Sequence, residues 1–268
     1  MLSHPLGQSL VIPLAISCLL SLLICFFVDR KHDTHWAGLA ISVGVLTSYL
    51  ITLGVPPLPP RISTHKLFFL IVSGIAVGVT LEQALIPYKR TAFILFGVVT
   101  LTWLTNFSNL KHNPEILLTL LALLVLWSVT FHQFQKLNRC GLLGIKVTII
   151  CAIGIAATTG LGNSASLAQM ALAIATSTLG FYFVMLRRVQ MYHGDLFVYA
   201  AVVPLLVLFS QISLFGGESV LPTLPLLSLL FIDRILPLEL RSQRVNQIAT
   251  AIILLFPLAI TVGIAFHL

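Results

Sequence analysis

Few side chains in this sequence are of the types that do chemistry inside an apolar chain. Glu82 is an acid in an otherwise apolar stretch that ends near the basic pair Lys89 and Arg90, and His132 lies in another such stretch. An ionisable residue within a membrane segment is a functional-site hypothesis by default. Glu82 is therefore a candidate substrate-binding residue, with a structural ion pair to Lys89 or Arg90 as the alternative.

Motifs of enzymatic catalysis are missing from the sequence. It contains no HExxH, no GxSxG, no P-loop and no paired carboxylates. The four cysteines are Cys18, Cys25, Cys140 and Cys151, and they lack the spacing of a metal site. We therefore predict that the protein is not an enzyme and has no catalytic residues, no metal and no cofactor.

The composition indicates an integral membrane protein. Hydrophobic residues make up 58% of the 268 residues, charged residues only 9%, and the mean hydropathy is +1.04. A soluble domain carries about 25% charged residues, so this chain cannot build a water-soluble surface. The net charge of +7 fits basic loops that orient a membrane protein, and we expect no nucleic-acid partner.

Apolar segments follow one another along the whole chain and predict an all-α polytopic membrane protein of about ten transmembrane helices. The connections are short, so we expect residues 1–268 to form a single transmembrane domain that divides into nearly equal halves at 1–139 and 140–268. Apart from the short fourth and ninth segments, each has roughly the 20 residues that a bilayer requires. The predicted segments are 8–28, 36–54, 67–86, 91–105, 115–134, 141–161, 165–186, 196–214, 220–233 and 247–267.

The distribution of lysine and arginine predicts the orientation. Twelve of these residues fall on the side of the odd-numbered loops, and only Arg61, Lys66 and Lys111 fall on the other. Basic loops stay in the cytoplasm, so both termini are expected outside. The predicted location is a bacterial inner (plasma) membrane, where the chain contacts the lipid bilayer and, as an open alternative, other membrane subunits.

The stretch "LGVPPLPPRISTHK", residues 53–66, is predicted to be an outer loop. Its prolines cannot continue a helix and favour a stiff, extended chain. The loop carries Arg61, His65 and Lys66 as candidate site residues, which could meet an anion or a partner protein. The competing interpretation, which we favour, is a rigid corner between two helices.

Two short segments, the fourth and the ninth, occupy corresponding positions in the two halves. Short or interrupted segments so placed point to a transporter binding site, and Pro222 and Pro225 interrupt the ninth. We predict that these segments bind substrate through polar and aromatic side chains, namely Thr100, Thr102, Trp103, Thr223 and Ser228.

The number of segments resembles the five-plus-five organisation of drug and metabolite transporters. That resemblance implies an inverted repeat and a transport function, although those transporters usually keep both termini in the cytoplasm. We therefore expect a permease for a small neutral or amphipathic solute. A non-catalytic accessory subunit of a membrane complex is the alternative. The GxxxG pattern Gly74–Gly78 predicts close helix packing.

Overall fold

The computed structural model describes residues 5–27, 34–60, 62–83, 89–105, 114–139, 142–162, 164–186, 195–215, 217–235 and 243–267. These residues are almost entirely helical, and none of them forms a strand. The helices are α1 (Pro5–Phe27), α2 (Leu39–Leu53, after a 3-10 turn Thr34–Gly38), α3 (Ser63–Gln83), α4 (Lys89–Thr105), α5 (Pro114–Arg139), α6 (Leu143–Leu161), α7 (Ala165–Met185), α8 (195–215), α9 (217–235) and α10 (Gln243–His267).

Two of these helices are irregular. Helix α8 comprises Asp195–Phe197, a π-helical stretch Val198–Val202 and a regular part Val203–Phe215. Helix α9 is a 3-10 helix, Gly217–Phe231, that contains Pro222 and Pro225 and continues as an α-helical turn Ile232–Ile235. Proline supplies no N–H for the regular hydrogen-bond ladder, which accounts for the irregular winding of α9.

Within the described ranges, eight helices are long and apolar enough to cross a membrane. The all-α polytopic fold predicted from the sequence is therefore confirmed. Helix α4 has 17 residues, and the apolar part of α9, Val220–Phe231, is shorter than a standard span. The count of ten crossings, the division into halves and the inverted repeat stay predictions.

Helices α1, α2 and α7 pack with their backbones close together. A Cβ atom at Gly180 would lie 2.6 Å from the carbonyl oxygen of Leu14, and one at Gly44 would lie 2.6 Å from Ser177 Oγ. The hydroxyl of Ser17 donates a hydrogen bond of 2.7 Å to the carbonyl of Ser177. Small residues thus bring α1, from the first half of the chain, onto α7, from the second.

The GxxxG pattern of α3 packs against α8, as the sequence predicts. A Cβ at Gly78 would lie 2.8 Å from the Cβ of Tyr199, and one at Gly74 would lie 3.4 Å from Val203 Cγ1. Tyr199 belongs to the π-helical stretch of α8 and is fully buried. Gly78 is therefore required by the close approach of the two helices, whereas a Cβ at Gly74 would make an ordinary van der Waals contact.

The proline-rich stretch forms an irregular connection between α2 and α3. Gly54 ends α2 with φ 77°, a left-handed conformation that favours glycine, and its N–H donates to the carbonyl of Leu50 at 3.1 Å. Pro56 is buried, whereas Leu58 is 80% exposed. His65 and Lys66 lie in the first turn of α3 rather than in the loop, and Arg61 lies outside the described residues.

An aromatic cluster fills the space between α4, α5 and α8. The ring of Phe93 stacks on Phe131 with centroids 4.6 Å apart and also contacts Trp127 and Tyr199. Trp127 is fully buried, and a Cβ at Gly97 would lie 2.9 Å from its ring. The cluster fixes the position of α4, which carries three of the predicted site residues.

Candidate functional site

Helix α3 is the element around which the candidate site is built, because it contacts three other helices along different faces. Phe68 faces α2, where its ring lies 5.3 Å from that of Tyr49. Phe69 faces α4, where its ring lies 6.4 Å from that of Trp103. Gly74 and Gly78 face α8. Residues three or four apart share a helical face, so each of these contacts extends along α3.

At one end of α3, Lys66 binds the carboxyl end of α4. Its Nζ donates hydrogen bonds to the carbonyl oxygens of Trp103 at 2.7 Å and Leu104 at 3.3 Å, and the side chain is only 7% exposed. The last carbonyls of a helix carry partial negative charge and lack partners in the helix, so an ammonium stabilises them. Lys66 thereby fixes Trp103 beside α3.

At the other end of α3, Glu82 contacts the beginning of α8. The backbone N–H of Leu196 donates a hydrogen bond of 3.2 Å to Glu82 Oε2. A carboxylate is favourable at the amino end of a helix, where the first N–H groups lack partners within the helix. This contact gives Glu82 a partner at the beginning of α8. That Glu82 binds substrate stays a prediction.

A groove of about 570 Å³ lies between α3 and α4. Thr100 lines it and is fully buried, and its Oγ1 has no hydrogen-bond partner within the described part of the chain. Trp103, which is 36% exposed, borders the groove near Lys66. The lining residues are Phe69, Leu70, Ser73, Val77, Ala92, Leu95, Phe96, Val99, Thr100 and Trp103.

The groove combines an apolar surface with very few polar groups. Ser73 and Thr100 are the two hydroxyl residues among the described lining residues. The hydroxyl of Ser73 donates to the carbonyl of Leu70 at 3.1 Å, whereas Thr100 Oγ1 has no hydrogen-bond partner among the described residues. A buried hydroxyl without a partner loses its hydration and gains no hydrogen bond. A bound molecule with one hydrogen-bonding group and an apolar body would complement this surface.

The other predicted binding residues do not join this groove. The hydroxyl of Thr102 donates to the carbonyl of Val98 within α4 at 2.8 Å. Thr223 and Ser228 donate within α9, to Val220 at 2.6 Å and Pro225 at 2.7 Å. The structure therefore brings Thr100 and Trp103 together and leaves Thr102, Thr223 and Ser228 bonded to their own helices.

Helix α9 instead borders a small apolar cavity of about 40 Å³ with α5, α6 and α8. Leu226, Leu227 and Leu230 contribute its α9 wall, and Cys151 Sγ is 3.9 Å from the carbonyl oxygen of Leu226. Thr130 lines the cavity, and its Oγ1 has no hydrogen-bond partner among the residues that are described. The apolar residues of α9, rather than its hydroxyls, form a concave surface.

Sequence reasoning missed the groove residues contributed by α3. Phe69, Ser73 and Val77 recur every four residues and therefore share one helical face. That periodicity is present in the sequence, but nothing in the sequence shows that this face is opposite α4. The described residues contain no group of three or more His, Cys, Asp or Glu side chains that could hold a metal ion.

The fold defines a multi-pass, all-α membrane protein, and a largely apolar groove with a buried hydroxyl in its wall involves the predicted fourth segment. No protein-family model matches the chain, and no curated protein matches it.

Proposed function

We propose that the protein is a permease for a small neutral or amphipathic solute, which it recognises in the groove between α3 and α4. The observation that supports the proposal is the hydroxyl of Thr100, which is buried in the groove wall and has no partner within the described ranges. A solute with an apolar body would pack against Phe69 and Phe96 and hydrogen-bond to this hydroxyl.

The contacts of Lys66 support a neutral solute. Its ammonium is bonded to the carbonyls of Trp103 and Leu104, so its charge compensates the negative end of α4. None of the described residues that line the groove is ionisable. An ionised solute would therefore lose hydration without gaining an opposite charge, and a neutral one is favoured.

The proposed setting is a bacterial inner membrane, with the side rich in lysine and arginine in the cytoplasm. In this orientation Lys66 and Trp103 lie at the outer end of the groove and the solute meets the groove from the outer leaflet.

A transport assay in proteoliposomes tests the proposal. Thr100→Val removes the hydroxyl at almost constant volume, and Thr102→Val is the matched control because that hydroxyl already bonds within α4. We expect protein-dependent flux of at least one member of a panel of neutral and amphipathic solutes. This flux should fall about 2- to 10-fold in Thr100→Val, the range for loss of one hydrogen bond. Equal flux in both variants would reject the groove as the recognition site.

The accessory-subunit alternative is favoured by a different observation, the exposed apolar surface of α10. Ile252, Phe256 and Phe266 of α10 are 62%, 66% and 72% exposed. Lipid covers such a surface in a permease that acts alone, whereas another subunit would cover it in a complex. Co-purification of a stoichiometric partner in mild detergent, together with absence of any protein-dependent flux, would favour the accessory subunit.

A further inference from the structure

A second groove, of about 300 Å³, lies between α6, α7 and α10. Lys146 is in the first turn of α6, Tyr182 is in the last turn of α7, and Thr250 is near the beginning of α10. These helix ends lie on the side that carries twelve of the fifteen lysine and arginine residues, which the positive-inside rule assigns to the cytoplasm. The groove is therefore separate from the α3–α4 groove and belongs to the opposite leaflet.

The mouth of this groove is positively charged. The side chains of Lys146 and Tyr182 line the groove, and both are partly exposed. Helix α6 begins at Leu143 without a side-chain cap, so its first N–H groups add positive potential beside Lys146. In the sequence, Arg187 and Arg188 follow α7 after a single residue, Leu186.

The deeper part of the groove is apolar. Ile149 and Ile150 lie one helical turn beyond Lys146 on α6, and Leu254 and Leu255 lie one turn beyond Thr250 on α10. The groove thus has a cationic mouth at the level of the lipid headgroups and a hydrocarbon wall beneath it. A free phosphate would use only the mouth, whereas a phospholipid would use both parts.

We propose that this groove binds an anionic phospholipid of the cytoplasmic leaflet. The phosphate accepts hydrogen bonds from the Lys146 ammonium and the Tyr182 hydroxyl, and one acyl chain packs against Ile149, Ile150 and Leu255. Basic pockets between transmembrane helices on the cytoplasmic side bind anionic headgroups in this way. Among the described residues, no acidic side chain lines the groove, so a net negative headgroup is preferred to a zwitterionic one.

Native mass spectrometry of the full-length protein in detergent tests the proposal, with phosphatidylglycerol and phosphatidylcholine of identical acyl chains as probes. We expect phosphatidylglycerol to be retained in preference to phosphatidylcholine. Lys146→Gln should lower the retention of phosphatidylglycerol about fivefold, the effect of one basic residue near an anionic lipid surface. Arg90→Gln is the matched control, because Arg90 is exposed at the same side but contacts Ser128 of α5.

Two further experiments distinguish a lipid phosphate from a free phosphate and test the groove without relying on Lys146→Gln alone. Glycerol phosphate at the same concentration should not displace phosphatidylglycerol, and displacement would overturn the lipid assignment. Leu255→Trp should fill the apolar part and lower retention even with Lys146 intact, since Leu255 is 53% exposed and tolerates a larger side chain. Equal retention of phosphatidylglycerol by wild type, Lys146→Gln and Leu255→Trp would refute the proposal.

Discussion

The backbone N–H of Leu196 donates a hydrogen bond of 3.2 Å to the carboxylate of Glu82, which joins residues 114 positions apart. Glu82 is one turn beyond Gly78, whose missing side chain admits Tyr199 of the same α8 helix. The contact between α3 and α8 therefore ends in a charge-assisted hydrogen bond at the amino end of α8. A residue selected from the sequence as a candidate for chemistry thus holds two helices together.

Removing the Glu82 carboxylate should destabilise the protein. Loss of a side-chain cap at a helix amino end costs about 1 kcal/mol, so Glu82→Ala should lower the midpoint of thermal unfolding in detergent. Glu82→Gln keeps an oxygen acceptor and loses the charge, so its midpoint should lie between those of Glu82→Ala and wild type. Unchanged unfolding of Glu82→Ala would show that the hydrogen bond to Leu196 contributes nothing to stability.

Gly78→Ala should destabilise the packing of α3 on α8. The added Cβ would lie 2.8 Å from Tyr199 Cβ and 3.2 Å from Leu196 Cδ1, and overpacking of this kind costs about 1–3 kcal/mol. Gly263→Ala in α10 is the matched control, since an added Cβ there meets no described atom within 4 Å. Denaturant unfolding should separate the two variants, and equal stability would contradict the close approach.

Replacing Lys66 should weaken the carboxyl end of α4. Lys66→Met keeps the aliphatic stem and loses both hydrogen bonds to Trp103 and Leu104, at an expected cost of about 1–2 kcal/mol. The fluorescence of Trp103 should also shift because its environment loosens. Lys66→Arg keeps the charge and should recover part of the stability. Unchanged unfolding of Lys66→Met would show that the two hydrogen bonds contribute nothing to stability.

Thr100→Val should stabilise the protein when no solute is bound. The substitution removes a buried hydroxyl that has no partner in the described ranges, and relief of such a group is worth about 1 kcal/mol. Thr102→Val loses a hydrogen bond within α4 and should not gain stability. A higher unfolding temperature for Thr100→Val, combined with weaker flux, would be typical of a residue that serves binding at the expense of stability. A lower unfolding temperature would imply that water or another group already satisfies Thr100.

Reporter fusions test the ten crossings and the orientation. A reporter fused at Asn109 should be outside the cytoplasm, and one fused at Gln190 should be cytoplasmic. A cytoplasmic reading at Asn109 would show that α4, with its 17 residues, does not cross the membrane. A non-cytoplasmic reading at Gln190 would contradict the orientation derived from the lysine and arginine distribution.

The helices themselves could be predicted from the sequence with little error. The predicted segment 165–186 corresponds to α7 at Ala165–Met185, and the predicted segment 91–105 corresponds to α4 at Lys89–Thr105. Apolar composition and short polar connections determine these positions locally, because lipid forces each segment to satisfy its own backbone hydrogen bonds. The beginning of α3 was predicted four residues too late, since the lysine at position 66 was taken as a loop residue although its ammonium is satisfied by α4.

The candidate site depended on tertiary structure. Thr100 and Thr102 are two residues apart and chemically identical, yet the hydroxyl of Thr100 is buried without a described partner and that of Thr102 bonds to Val98. Sequence composition determined that this chain is a bundle of membrane helices, because hydrophobicity acts on each segment independently. Which helical faces meet, and hence which hydroxyl or cation is available to a ligand, was decided only by the packing of helices against one another, such as α3 with α4 and α6 with α10.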